Sequence, residues 1–171
     1  MRVGVNGREM ERGTAPVVTN VLQRLQHHGM QPRITTNLAK WLATCGEPAD
    51  LPLLPEGDLA AQELDLCIGL GGDGTLLDTV ALVGRSRIPV LGINLGRLGF
   101  LSNVRLEDLD EALIALKEGR YALQDRSLIE VIDHPELGAN NFALNEVSIH
   151  KRDSASMIAV HVHLGADYLN T

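Results

Sequence analysis

The chain has 171 residues, of which 44% are hydrophobic, and a formal net charge of −7. This length suits one domain, or one domain and part of another, and the acidic balance argues against a nucleic-acid-binding surface. Its two cysteines, Cys45 and Cys67, lie far apart, which excludes a disulfide framework and a cysteine metal knuckle. With no apolar run of membrane-spanning length and no signal-peptide core near Met1, we expect a soluble protein of the reduced cytoplasm.

The first segments alternate strand and helix patterns. Arg2–Asn6 is the first predicted strand, and a helix follows from an N-cap at Thr14 to a glycine stop at Gly29. A weaker predicted strand, Met30–Thr35, precedes a short helix, Leu38–Cys45. The proline-rich and acidic residues that follow are typical of a loop.

The most informative segment is Leu64–Leu77, with the sequence LDLCIGLGGDGTLL. An apolar strand leads into four glycines within six residues, and helical periodicity begins after Thr75, which we predict as the N-cap. The backbone N–H groups of such a turn attract anions, phosphate above all. Asp73 stands among the glycines, where a carboxylate repels an anionic ligand unless it holds a metal or takes a proton. Asp is also common as a simple turn cap, which remains an alternative.

A second glycine loop follows the next predicted strand. Ile88–Ile93 is apolar, and Asn94–Phe100 has the sequence NLGRLGF. These glycines fit a ligand loop or only a tight strand-to-helix turn. The run from Leu106 to Leu116 then predicts a helix that ends at Gly119. Strands alternating with helices predict an α/β domain with a parallel, Rossmann-like sheet.

From Tyr121 onward the helical periodicity disappears. Three segments have strand character: Leu128–Ile132, Phe142–Ile149 and Met157–Leu164. Gly165-Ala166 suits a two-residue hairpin turn.

This change of character divides the chain into two predicted domains. We predict an α/β nucleotide-binding domain over residues 1–122 and the beginning of an all-β, sandwich-type domain over residues 123–171. The last hairpin stops soon after its turn, so we expect the second domain to be incomplete and the chain to be part of a longer protein.

Two common phosphate motifs fit the glycine segment poorly. Gly69–Gly74 satisfies G-x-G-x-x-G, but the acidic residue expected about 20 positions further on is missing, and Asn94 stands in that region. This disfavours a hydride-transferring dinucleotide domain. No G-K-[ST] follows the glycines, which excludes a Walker-type P-loop.

Three stretches together resemble one family. Gly71–Thr75, GGDGT, resembles the nucleotide-binding signature of the NAD kinase and diacylglycerol kinase superfamily. Gly92–Leu101 resembles the NAD kinase loop GIN-x-G-x-LGFL, and Asn145-Glu146 resembles the Asn-acid pair of that family. Their order and spacing resemble NAD kinases across essentially the whole chain.

The resemblance implies a role for each matching residue. Asp73 would accept the proton of the 2′-hydroxyl on the adenosine ribose of NAD, which suits a carboxylate close to a hydroxyl. Phe100 would pack on the adenosine, while Asn145 and Glu146 would hydrogen-bond its ribose and base. The other loop positions implicated are Gly71, Gly72, Gly74 and Thr75.

The implied activity is phosphorylation of NAD to NADP in a cleft between the two domains. ATP or another phosphoryl donor would serve with Mg²⁺ or another divalent cation, in a homo-oligomer with no nucleic-acid or membrane partner. The alternatives are a lipid or other small-alcohol kinase of the same superfamily, or a non-catalytic nucleotide-binding fragment. The family's downstream Gly-Asp-Gly and Thr-Pro-Thr-Gly-Ser-Thr-Ala-Tyr motif is absent from the 171 residues, so we expect them not to phosphorylate NAD alone.

Several of these residues also have plain structural interpretations. Phe100 could be a core residue, and the Asn145-Glu146 pair could lie on a solvated strand face. His161 and His163 share a strand face, where contact with water is favoured over metal binding. Three arginines could meet phosphates or only water: Arg85, Arg87 and Arg97.

Overall fold

The structure is a computed structural model that describes residues 1–55, 59–96, 99–102, 104–151 and 157–171. Its α-helices and strands in chain order are β1 (Arg2–Gly7), α1 (Ala15–His27), β2 (Gln31–Ile34), α2 (Thr36–Thr44), β3 (Leu66–Leu70), α3 (Asp73–Val83), β4 (Val90–Asn94), β5 (Val104–Arg105), α4 (Leu109–Lys117), β6 (Ile129–Glu130), β7 (Phe142–Ala143), β8 (Val162–Leu164) and β9 (Asp167–Asn170).

The first five strands form one parallel sheet, in the order β2-β1-β3-β4-β5. Ile68 of β3 pairs with Val5 of β1 on one side and with Leu91 of β4 on the other. Every residue of β3 is buried, as expected for a central parallel strand covered on both faces. The predicted α/β, Rossmann-like sheet is confirmed. Because the strand order reverses between β1 and β3, the carboxyl edge of the sheet opens a crevice there.

Side chains alternate between the two faces of the sheet. On one face, α1, α2 and α4 cover a core that contains Val5 and Ile68. On the other face, Cys67 packs in a second cluster with Leu54 and Val83. Burial raises the pKa of the Cys67 thiol to about 12, so this residue is a neutral core side chain.

Helix α3 lies very close to that second face. A Cβ added to Gly69 of β3 would lie 2.7 Å from Thr79 Oγ1 and 3.5 Å from the Cα of Leu76. Glycine is therefore required in β3 because the helix backbone approaches the strand. This packing holds the amino end of α3 at the carboxyl edge of the sheet.

Two predicted helix starts were wrong by one to three residues. Helix α3 begins at Asp73 with Gly72 as its N-cap, so Thr75 is a buried residue of the first turn and not the cap. An acidic side chain in the first turn suits the positive end of the helix dipole. Helix α2 begins at Thr36, two residues before the predicted start at Leu38.

The later segments form two small antiparallel sheets. Strands β6 and β7 pair with each other, and β8 pairs with β9 around the predicted Gly165-Ala166 turn. The predicted strand over Phe142–Ile149 was wrong beyond Ala143, where the chain bends. None of the described residues after Leu113 is buried. Among the helices of the described ranges, none is long and apolar enough to cross a membrane.

Candidate functional site

A chain of polar side chains marks the crevice where the strand order reverses. The Asn6 side-chain amide donates to Thr79 Oγ1 at 3.1 Å, and Thr35 Oγ1 donates to Asn6 Oδ1 at 3.3 Å. Thr79 Oγ1 in turn donates to the Thr75 carbonyl at 2.7 Å. These bonds fix the end of β1 and the residue after β2 to helix α3, which gives the crevice a rigid floor.

The first glycine loop joins β3 to α3. Gly71 has a φ of +147°, and a Cβ there would lie 2.4 Å from Thr75 Oγ1, so the position requires glycine on both counts. Gly72 is exposed, and within the described ranges no atom lies within 4 Å of the place where its Cβ would be. The loop is therefore packed at Gly71 and open to solvent at the N-cap of α3, where helix donors attract anions.

Asp73 connects the two glycine loops. Its carboxylate accepts hydrogen bonds from the backbone N–H groups of Phe100 at 2.8 Å, Leu101 at 3.0 Å and Ser102 at 3.2 Å. These bonds lower the pKa of the Asp73 carboxyl, and the bond from Phe100 has the largest effect. A Cβ on Gly99 would lie 2.2 Å from Asp73 Oδ1, so Gly99 makes room for the carboxylate. Asp73 thus caps the backbone of a loop 27–29 residues further along the chain.

The second glycine loop is seated directly on the sheet. A Cβ on Gly92 would lie 2.9 Å from the Cα of Ser102, so the loop backbone packs against β4 without a side chain between them. Ser102 is only 1% exposed, and its hydroxyl has no hydrogen-bond partner among the described residues. At the start of the loop, Gly96 N–H donates to Asn94 Oδ1 at 2.9 Å. The loop is thereby fixed at both ends.

Phe100 projects from this loop into solvent. Its side chain is 98% exposed, so the interpretation of Phe100 as a core residue was wrong. An aromatic ring with both faces free can stack on a planar ligand. Arg97 of the same loop lies outside the described residues.

Asn145 and Glu146 lie on the bend that follows β7, and both are exposed. They line a cavity of about 230 Å³ together with Leu77 and Asp78 of α3. Since Leu77 is one helical turn beyond Asp73, the structure brings the predicted pair against the helix that carries the predicted base. Asp73 itself does not line this cavity.

A larger cavity, of about 560 Å³, opens at the crevice between β1 and β3. Its wall includes polar and charged residues from the end of β1, from the segments after β1 and β2, and from α2 and α3: Asn6, Arg8, Glu9, Thr35, Asn37, Lys40 and Asp78. Ligands of doubly wound sheets bind outside the carboxyl ends of the strands at such a crevice.

Arg8 lines this cavity and was not predicted as a site residue from the sequence. Its guanidinium binds the Asp78 carboxylate through two nitrogens, with Nη2 to Oδ1 at 2.6 Å, and this hydrogen bonding raises the pKa of Arg8. A Cβ on Gly74 would lie 3.0 Å from Arg8 Nη1, so the guanidinium covers the glycine loop. Its position directly after the first strand was the available signal, because that strand end lies at the crevice.

The remaining candidates have local partners. His161 Nδ1 lies 2.6 Å from Thr171 Oγ1, and the His163 ring meets the Tyr168 ring edge to face at 5.5 Å. Within the described part of the chain, no group of three His, Cys, Asp or Glu residues could hold a metal ion. Arg85 forms an ion pair with Glu130.

Comparisons with known proteins agree on one family. Residues 55–121 match the family described as the ATP-NAD kinase N-terminal domain. The chain is 37% identical over 180 residues to an NAD kinase of Cytophaga hutchinsonii, with 100% of this chain and 59% of that protein covered. An NAD kinase of Flavobacterium johnsoniae is 31% identical over 175 residues, with 100% of this chain and 60% of that protein covered. The chain therefore spans about 60% of the length of these curated relatives.

A solved structure is similar in fold. The chain matches a crystal structure of yeast NADH kinase complexed with NADH, with a TM-score of 0.62 and 23% sequence identity. The match covers 75% of this chain and 41% of the yeast protein.

Proposed function

We propose that this chain, which belongs to the NAD kinase family, is the part of an NAD kinase that presents the catalytic carboxylate and the phosphate-binding loops. The reaction would transfer a phosphoryl group from ATP, or from another donor, to the 2′-hydroxyl of the adenosine ribose of NAD. The observation that carries the proposal is the junction of the two glycine loops at Asp73.

In the proposed reaction Asp73 is the base. The 2′-oxygen of the ribose forms a bond to the terminal phosphorus of the donor, and the bond between that phosphorus and the bridging oxygen breaks. The nucleoside diphosphate leaves with the electron pair, and the proton of the hydroxyl passes to the Asp73 carboxylate. Positioning and charge neutralisation supply most of the catalysis of phosphoryl transfer.

The donor would occupy the larger cavity. Arg8 and Lys40 line it, and Gly72 opens the N-cap of α3 toward solvent nearby. Two cations and a helix amino end suit a chain of phosphates. A volume of about 560 Å³ falls within the range of small-molecule sites.

We do not assign a metal site to this chain. A divalent cation would arrive bound to the donor phosphates, because Mg²⁺ is usually held by phosphates, water and one or two carboxylates. The described residues contain no cluster of three acids, histidines or cysteines to hold it. Its contribution when bound would be neutralisation of phosphate charge.

The acceptor would lie on the other side of Asp73. The exposed ring of Phe100 would stack on the adenosine of NAD, and Asn145 and Glu146 would hydrogen-bond its ribose and base. The cavity that Asn145 and Glu146 share with Leu77 and Asp78 supports this placement, since it puts the pair beside the helix of the proposed base.

The proposal also covers the division into domains, the cellular location and the assembly of the protein. Residues 1–122 would form the α/β domain and residues 123–171 the beginning of the β-rich region. The enzyme would work in the cytoplasm as a homo-oligomer.

An acceptor assay tests the proposed function. The protein from the complete natural reading frame is incubated with ATP and a magnesium salt, with NAD or diacylglycerol as acceptor. We expect NADP, and we expect Asp73→Asn to lower its turnover by about 10²–10⁴-fold, the usual contribution of a general base. Asp125→Asn is the matched control, because Asp125 is exposed and lies in the later region. Phosphorylation of diacylglycerol alone, or unchanged turnover of Asp73→Asn, would refute the proposal. The same assay on the 171 residues tests the expectation that they do not act alone.

A further inference from the structure

We infer that the consecutive backbone N–H groups of Phe100, Leu101 and Ser102 form an anion-binding site, here called the amide nest. The Asp73 carboxylate fills it as an internal ligand until a phosphate group of a bound nucleotide takes its place. The nucleotide's identity rests on the proposed function, whereas the amide nest is a property of the loop itself.

Three donors of the amide nest converge on a single carboxylate. The N···O distances of 2.8, 3.0 and 3.2 Å are those of true hydrogen bonds, and two of the three end on the same oxygen, Oδ1. Successive backbone N–H groups arranged in this way form concave sites for anions. A phosphate presents more oxygens and more negative charge than a carboxylate, so it is the stronger ligand for the same donors.

The amide nest is open to exchange. Asp73 is half-buried and Phe100 beside it is 98% exposed, so an anion from solvent can approach the amide nest from the Phe100 side, whereas Ser102 lies at its buried end. Gly99 has no side chain at the entrance, where a Cβ would lie between 2.2 and 2.7 Å from the three terminal atoms of the Asp73 carboxyl group. The Arg8 guanidinium, which is paired with Asp78, covers the neighbouring Gly74.

Displacement of the Asp73 carboxylate from the amide nest would make it a stronger base. While three N–H groups bind its carboxylate, the negative charge is stabilised and the carboxyl pKa is low, which makes a weak base. An anion that occupies the amide nest frees the carboxylate from these donors. The carboxylate then becomes available to a hydroxyl at the time when a nucleotide phosphate is bound.

Inorganic pyrophosphate is the probe that tests the inference. The ¹⁵N-labelled chain is titrated with pyrophosphate, and the amide resonances of Phe100, Leu101 and Ser102 are followed. We expect them to move in the wild type. In Asp73→Ala the same amides should bind pyrophosphate about tenfold more tightly, since an internal ligand that fills the site nine-tenths of the time weakens apparent affinity by that factor.

Asp125→Asn is the charge control. Asp125 is an exposed acid of the later region that lines neither cavity, so its substitution removes one negative charge without touching the amide nest. An equal gain of affinity in Asp125→Asn would assign the effect to net charge and overturn the inference. Amides of residues 100–102 that do not respond to pyrophosphate in the wild type would overturn it even if Asp73→Ala fails to fold. Because no NAD and no turnover enter the measurement, its failure is separable from a failure to make NADP.

Discussion

The two regions of the chain use the same apolar side chains in opposite ways. In residues 1–119, Ile68 lies in the centre of a five-stranded sheet and is fully buried. In residues 121–171, Ile149 is 69% exposed, and the strands belong to two separate two-stranded sheets. A sheet covered by helices on both faces removes its side chains from water, whereas a lone hairpin has no layer to pack against.

The comparison of the two regions shows which part of the candidate site is held by a buried core. Asp73, both glycine loops and the polar chain from Asn6 to Thr79 belong to the region with the buried core. The Asn145-Glu146 bend belongs to the exposed region and meets the first region at α3. The proposed catalytic residue therefore belongs to a packed scaffold, while the predicted acceptor residues lie in an exposed segment that shares a cavity with one helix.

A matched pair of isoleucine substitutions tests this comparison with the largest expected effect. Ile68→Ala should lower the free energy of unfolding by about 2–5 kcal/mol, the usual cost of removing a fully buried aliphatic side chain. Ile149→Ala should change it by less than about 0.5 kcal/mol, because exposed positions contribute little. Urea denaturation followed by circular dichroism measures both. Equal losses in the two variants would show that the later region also contains a core.

A pair of alanine substitutions, one in β4 and one in the second glycine loop, tests how tightly the first region is packed. Gly92→Ala should cost about 1–3 kcal/mol, because its Cβ would lie 2.9 Å from the Cα of Ser102 and would push the loop off the sheet. Gly96→Ala is the control, since no atom of the described residues lies within 4 Å of its added Cβ. Thermal unfolding of the two variants checks this. A Gly96→Ala protein as unstable as Gly92→Ala would indicate that the loop tolerates no side chain anywhere.

The smallest effect is expected at the contact between the regions. Arg85, just after α3, forms an exposed ion pair with Glu130 of β6. Because exposed ion pairs often contribute nothing measurable, Arg85→Ala should leave the unfolding midpoint unchanged. Hydrogen exchange of the backbone amides in β6 and β7 should nevertheless become faster, because β6 loses its link to α3. A large fall in the unfolding midpoint would contradict the division into a packed and an exposed region.

Most of the first region could be predicted from the sequence. Apolar runs and glycine stops located β1, α1, β3 and α3, since burial of a strand or a helix face leaves a periodic pattern. Helix starts were less certain: Thr75 has the right side chain for a cap, but the turn at Gly71 brings the chain into the helix at Asp73. In the later region, β-rich composition predicted a strand over Phe142–Ile149 that continues only to Ala143. Strand length depends on a pairing partner, which composition does not specify.

Some features of the candidate site could likewise be predicted from the sequence, and others could not. GGDGT and the second glycine loop could be recognised from their residues because a tight turn and a close approach of the backbone to other atoms require glycine at particular positions. The bonds from Phe100, Leu101 and Ser102 to Asp73 could not, since they join segments 27–29 residues apart. The same holds for Arg8, whose partner Asp78 is 70 residues away in the chain.

The sequence alone determined the order of elements, the family resemblance and the residue types that phosphate chemistry needs. Each of these depends on residues that lie close together in the chain. Only the tertiary structure decided that Asp73 faces three backbone donors, that Phe100 lies in solvent and that Arg8 covers Gly74. Those facts depend on how the parallel sheet brings β1, β3 and β4 side by side. Pairing between distant strands is fixed by burial of the whole core, and no short stretch of sequence contains that information.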